Sequence, residues 1–179
     1  QSGEYLVSII NDVLDLSRIE SGKLRVSHTA FDMKELLDIV VQLETYPAGE
    51  KALNFRLVCP GTFHRGFLGD AVRIKQCLIN LISNAIKFTP EQGTVTLTYR
   101  EVQENGNYTR ARFIVEDTGI GMSEAFMRQM FHPFEQEESS LISANVGSGL
   151  GLAIVHSLVT LMNGTIQAES KLNQGSRFI

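Results

Sequence analysis

A chain of 179 residues, 43% of them hydrophobic, has the length for one domain with a real core and a short appendage. A formal net charge of −4 and the lack of any Lys/Arg run exclude the electrostatic footprint of a nucleic-acid binder. The longest apolar stretch, Gly151 to Met162, is interrupted by His156, Ser157 and Thr160 and is too short to span a bilayer, and no signal-peptide pattern opens the chain.

Cys59 and Cys77 have neither metal-site nor redox-motif spacing and read as packing residues of a reduced compartment. The chain opens inside a helical pattern at Gln1 and stops at Ile179 inside an expected strand, so it reads as a fragment of something longer. From Glu4 to about Lys23, Leu6, Ile9, Ile10, Val13, Leu16 and Ile19 form a near-heptad stripe that "ESGKL" ends at Gly22. One such helix cannot bury its stripe alone and wants a partner. "DMKE", with Asp32 as cap and Glu35 three residues on, opens a second helix through Leu36–Leu43, whose end Pro47 and Gly49 should disturb. "LNFRLV" alternates like a strand, and "FLGD" leads into a helix from Asp70 to about Phe88.

"GTVTLTYREV" and "YTRARFIVED", separated by "QENGN", read as a β-hairpin. A short helix should follow Ser123, and the polar, glycine-punctuated segment from His132 to Ser148 reads as a mobile loop. A helix from about Gly149 to Met162 stops at "NG", and "TIQAES" with "GSRFI" supplies a last pair of strands. This order of elements predicts an α/β sandwich, helices covering one face of a largely antiparallel sheet.

The helix from Asp70 to Phe88 carries a pattern that needs a reason. Arg73, Gln76, Asn80, Asn84 and Lys87 fall on one narrow stripe, with apolar residues on both flanks. Asparagine is a poor helix-interior residue because its amide competes for nearby backbone groups. A solvated edge is normally written with Glu, Lys and Gln, so two central asparagines suit a polar cavity at least as well. An amide oxygen can ligate Mg²⁺ beside waters and phosphate oxygens, and Lys87 could hold a phosphate as a point charge. On this helix alone, the solvated edge and the cavity wall stand level.

Two glycine segments bear on the choice. "EDTGIGM" ends a strand with Asp117, Gly119 and Gly121. It reads either as a turn or as backbone placed close to a flat ligand, with Asp117 accepting from an exocyclic amine. "GSGLGL" sets Gly147, Gly149 and Gly151 at the start of an apolar helix, where free N–H groups attract phosphate. It lacks the "GK[ST]" of a P-loop and does not follow a strand as a dinucleotide fingerprint would.

Taken together and in order, these segments resemble the ATP-binding domain of sensor histidine kinases, within the GHKL superfamily that also holds gyrase-type ATPases. "NLISNAIKFT" is similar to the N box, "DTGIGM" to the G1 box, "FHPFEQ" to the F box and "GSGLGL" to the G2 box. "NDVLDLSRIESGKL" resembles the end of the second dimerisation helix, and "FEQEESS" is most similar to hybrid kinases. The resemblance implies an α+β fold of the GHKL (Bergerat) type. Residues 1–25 would end a dimerisation and phosphoacceptor hairpin, and residues 26–179 would form the catalytic ATP-binding domain.

It further implies ATP under a flexible lid, with Asn84 as Mg²⁺ ligand and Lys87 as phosphate contact. Asp117 would read the adenine amine, Gly119 and Gly121 would shape the pocket, and Ser176 would place a hydroxyl near adenine. Gly147, Ser148, Gly149, Leu150 and Gly151 would line the lid and the phosphates. Asn80 matches the position where gyrase-like relatives carry a glutamate base; an amide is no base, which favours transfer to a protein nucleophile over hydrolysis.

The lid departs from the pattern, with Ser143 and Val146 where relatives have arginine and glycine. The phosphoacceptor motif is absent, and His28, His64, His132 and His156 read as structural or surface residues. The implied partners are the chain's own dimerisation and phosphoacceptor domain, a response-regulator receiver and a second copy in a homodimer, in the cytoplasm, a placement compatible with a membrane anchor elsewhere in the parent protein. The alternatives are a GHKL ATPase driving conformational change and a non-catalytic nucleotide-binding signalling module.

Overall fold

The computed structural model describes residues 2–61, 64–103, 109–137 and 147–179. In chain order it has α1 (Ser2–Glu20), β1 (Thr29–Asp32), α2 (Met33–Glu50), β2 (Asn54–Val58), β3 (Gly66–Gly69) and α3 (Ala71–Phe88). These are followed by β4 (Thr94–Gln103), β5 (Thr109–Asp117), α4 (Glu124–Met127), α5 (Gly151–Leu161), β6 (Ala168–Lys171) and β7 (Gly175–Phe178).

Five strands make the main sheet in the order β2-β4-β5-β7-β6. Among the described strands of this sheet β2 and β4 run parallel, because the α3 crossover lies between them; β4–β5, β5–β7 and β6–β7 are antiparallel. Val95, Leu97 and Tyr99 of β4, Val115 of β5 and Phe178 of β7 join one apolar cluster with Leu37 and Val40 of α2. Leu78, Leu81 and Ile82 of α3 and Ile154, Val155 and Leu158 of α5 complete it. A mixed sheet, mostly antiparallel and packed against helices, is the expected two-layer arrangement.

Some expectations need correction. "FLG" is a strand rather than a lead-in, and it pairs antiparallel with the unforeseen β1 in a second, two-stranded sheet. Four residues per strand are too few to show an alternation that stands out. Helix α2 runs through Pro47 to Glu50. Pro47 is exposed near the helix end, where water can take over the one backbone bond that proline forgoes. Asp32 does cap α2, its Oδ1 accepting from the Lys34 and Glu35 amides at 2.8 and 3.2 Å. Helix α5 starts at Gly151, two residues later than expected. The hairpin turn at 104–108 and most of the expected loop, including Ser143 and Val146, lie outside the described residues.

The polar stripe of α3 splits in two. Arg73 and Gln76 turn to α1: Gln76 Nε2 donates to Asp15 Oδ2 at 2.8 Å, and Arg73 Nη1 lies 3.8 Å from the same oxygen. Asn80, Asn84 and Lys87 face a cavity. Val72 and Ser83 of the same helix are exposed.

Candidate functional site

A cavity of about 290 Å³ lies among the last turns of α3, the segment after β5 and the first turn of α5, with Ile9 and Asp12 of α1 in its wall. Its volume is near the lower end of the range for small-molecule sites. Ile120, Met122, Phe126, Met130 and Phe178 give it an apolar lining toward one end. A flat aromatic ring fits such walls. Polar groups stand at both ends.

Asp117 marks the first end. Strand β5 delivers it at its last residue, and its Oδ1 accepts from the Gly119 amide at 2.8 Å. Ser176, its register partner on β7, bonds it through both backbone and hydroxyl. Burial nevertheless outweighs these bonds and raises the Asp117 carboxyl above its ordinary value. A buried acceptor held by few donors has capacity left for another.

The backbone around Asp117 leaves no room to vary. A Cβ on Gly119 would come 2.6 Å from both Asp117 Oδ1 and the Phe88 carbonyl oxygen. Gly121 has φ +66, and a Cβ there would lie 2.0 Å from the Lys171 carbonyl oxygen. Of the two, only Gly121 lines the cavity; Gly119 acts behind it, donating to Asp117.

Asn84 and Lys87 mark the other end, against the start of α5. An ideal Cβ on Gly147 would stand 3.2 Å from Lys87 Nζ, and one on Gly151 would stand 3.8 Å from Asn84 Nδ2. The glycines therefore open the space into which these two side chains reach. Lys87 Nζ lies 5.1 Å from the Phe88 ring centroid, and burial lowers its pKa, a penalty that a bound anion would relieve. Gln136 Nε2 donates to the Gly147 carbonyl at 2.7 Å, which ties the segment after α4 to the start of α5.

Asn80, Asn84, Lys87, Asp117, Gly121, Gly147, Ser148, Gly149, Gly151 and Ser176 thus line one cavity. Leu150 does not; it is 0% exposed and belongs to the core. His156 of α5 is exposed and stacks on Phe131 with ring centroids 4.9 Å apart. None of the four histidines is in the cavity lining. Reading the sequence missed Asp12 and Ile9 because nothing local marks a residue of α1 as facing a pocket about 70 positions downstream. The apolar lining from Ile120 to Met130 was equally unmarked, since core and pocket walls use the same residue types.

The profile of the family described as histidine kinase-, DNA gyrase B- and HSP90-like ATPase matches residues 69–179. The chain is 42% identical over 179 residues to the circadian input-output histidine kinase CikA of Synechococcus elongatus, covering 99% of this chain and 23% of that one. It is 38% identical over 177 residues to the autoinducer 2 sensor kinase/phosphatase LuxQ of Vibrio cholerae, covering 99% of this chain and 20% of that one. The chain therefore spans about a fifth of the length of these curated relatives.

Full-length ShkA, solved in complex with AMPPNP, superposes with a TM-score of 0.83 at 34% identity, covering 99% of this chain and 35% of that one. The catalytic domain of the histidine kinase ThkA gives 0.68 at 29% identity, covering 84% and 91%. The chain belongs to the histidine kinase-, DNA gyrase B- and HSP90-like ATPase family and is homologous to the catalytic domains of two-component sensor histidine kinases.

Proposed function

We propose that the cavity binds ATP, with adenine against Asp117 and the phosphates against Lys87 and the glycines of the α5 start. One observation carries this reading: the buried Asp117 carboxylate, the Lys87 ammonium and the apolar side chains of Ile120, Met122, Phe126, Met130 and Phe178 line one cavity. An adenine offers an amine donor to the first and a polyphosphate offers charge to the second. The Asn84 amide is an oxygen donor of the hard kind that Mg²⁺ takes. Among the described residues no cluster of three His, Cys, Asp or Glu side chains could form a metal cage, so the ion's remaining ligands would be phosphate oxygens and water. Bound there, Mg²⁺ would neutralise charge developing on the transferred phosphoryl group.

The activity we assign is transfer of the γ-phosphoryl group to a histidine on the dimerisation domain and from there to a receiver aspartate. Residues 1–25 would belong to that dimerisation hairpin and residues 26–179 to the catalytic domain. Asn80 supports transfer over hydrolysis, because its amide lines the cavity where a water-activating base would be needed. Lys87, Asn84 and the glycine backbone would hold the triphosphate in line, and positioning of this kind is the main part of phosphoryl-transfer catalysis.

The test uses γ-labelled ATP with this chain alone and with a dimerisation domain that carries its phosphoacceptor histidine. The chain alone should bind ATP and remain unlabelled on histidine, since no histidine lines the cavity. The added domain should take up acid-labile, base-stable label. Steady release of phosphate without labelling would instead make the chain an ATPase of the same family.

A further inference from the structure

Helix α1 reaches the cavity with a negative charge. Asp12 and Ile9 are both in the cavity wall, although neither belongs to the segment matched by the family profile, which begins at residue 69. Asp12 Oδ2 accepts from the Ser148 hydroxyl at 3.1 Å, and the same hydroxyl oxygen accepts from the Leu150 amide at 3.3 Å. Ser148 stands between Gly147, which opens onto Lys87 Nζ, and Gly151, which opens onto the Asn84 amide. The carboxylate thus occupies the end of the cavity where Lys87, a glycine-rich turn and the first turn of α5 gather positive potential.

Three residues further along α1, Asp15 anchors the same helix face. It accepts from Gln76 Nε2 at 2.8 Å and lies 3.8 Å from Arg73 Nη1, so a cation of α3 offsets its charge. Asp12 instead accepts from a neutral hydroxyl. Burial raises the Asp12 carboxyl above its ordinary value, as a poorly compensated anion requires. Along α1, Leu6, Ile10 and Val13 are 58%, 49% and 43% exposed, so the N-terminal part of its apolar face is unburied, while Leu16 further along joins the core.

We propose that Asp12 is a charge sensor that sets the cavity's selectivity by phosphate charge: docked on Ser148, it stands in for an anionic phosphate, and nucleotide phosphates and docked α1 exclude one another. This deepens the ATP-binding reading given above and rests on it. Linkage makes the antagonism reciprocal: whatever holds α1 down weakens nucleotide binding, and bound polyphosphate loosens α1 by the same factor. The effect grows with ligand charge. Uncharged adenosine meets no opposition from Asp12, the Mg²⁺ complex of ADP meets some, and that of ATP meets most.

Calorimetry with adenosine, ADP and ATP in Mg²⁺, on the chain and on Asp12→Asn, reads this directly. The amide keeps the size of the carboxylate and can still accept from Ser148. Removing one like charge at close range should raise ATP affinity on the order of tenfold, ADP affinity by less, and adenosine affinity not at all. Amide hydrogen exchange gives the reciprocal half: ATP should speed exchange in α1 of the unaltered chain, and adenosine should not. An equal gain for adenosine would reduce Asp12 to a packing residue, and a weaker ATP complex in Asp12→Asn would make it an aid to metal binding; either overturns the proposal. Failure of the unaltered chain to bind all three ligands would instead overturn the ATP reading, and the charge sensor with it.

Discussion

At the Asp117 end of the cavity the backbone sets the geometry, whereas at the Lys87 end side chains reach toward Gly147 and Gly151, and Gly149 (φ +72, against the Phe134 backbone) is the one glycine there closed by main chain. Asp117 is the last residue of a central strand, accepts from Gly119, is bonded by Ser176, and is surrounded by glycines that admit no Cβ. Lys87 and Asn84 extend from a helix toward glycines whose added methyls would meet only the tips of those two side chains. Rigid placement suits recognition of a flat base by one hydrogen bond. Adjustable placement suits a charged chain that must be held, reacted and released.

The contrast can be broken most forcefully at Gly121. Gly121→Ala forces an L-residue to φ +66 with its Cβ 2.0 Å from a backbone oxygen, so neither atom can step aside. We expect a loss of about 3 kcal/mol or more, read from the urea midpoint, because backbone strain and a clash act together. A near-silent result would mean that the Asp117 end is as adjustable as the other.

Asp117→Asn comes next and separates stability from binding. An acid whose folded pKa is raised binds more protons folded than unfolded, so stability falls as pH rises through the window above its ordinary value of 3.8. At neutral pH the full penalty is present. Asparagine removes it, and the ligand-free protein should gain up to about 1 kcal/mol in unfolding experiments. Over the same change, ATP should bind about tenfold to a hundredfold more weakly, as the unaltered site should bind GTP, where an acceptor would face a carbonyl at a cost of about 1–3 kcal/mol. In the unaltered chain, adenine binding should fade on acidification at a higher pH than an ordinary aspartate would dictate.

Asn84→Ala should leave the unfolding transition within about 0.5 kcal/mol and lower ATP affinity in Mg²⁺ by about tenfold or more, with little change in EDTA. Unchanged affinity in Mg²⁺ would remove Asn84 from the metal site. The smallest expected effect sharpens the comparison best. Gly147→Ala brings a Cβ to 3.2 Å from the mobile tip of Lys87, and stability should change by less than about 0.5 kcal/mol while ATP affinity drops a few-fold. Set beside Gly121→Ala, it measures how differently the two ends tolerate one methyl group.

Local pattern determined much of this protein. Periodicity in α1, α3 and α5, alternation in β4 and β5, the Asp32 cap and the ordered motifs around Asn84, Asp117 and Gly147 are all short-range signals, and they sufficed for the fold class and for Asn80, Asn84, Lys87, Asp117, Ser176 and the glycines of the cavity wall. Tertiary structure decided what no local signal carries. It paired the four-residue strands β1 and β3 and divided one helical stripe between an α1 contact and a cavity wall. It also sent Leu150 into the core and brought Asp12 onto Ser148 from 136 residues away. Each of these outcomes depends on which element packs against which, and a helix or strand carries the periodicity of its buried face without the identity of its neighbour.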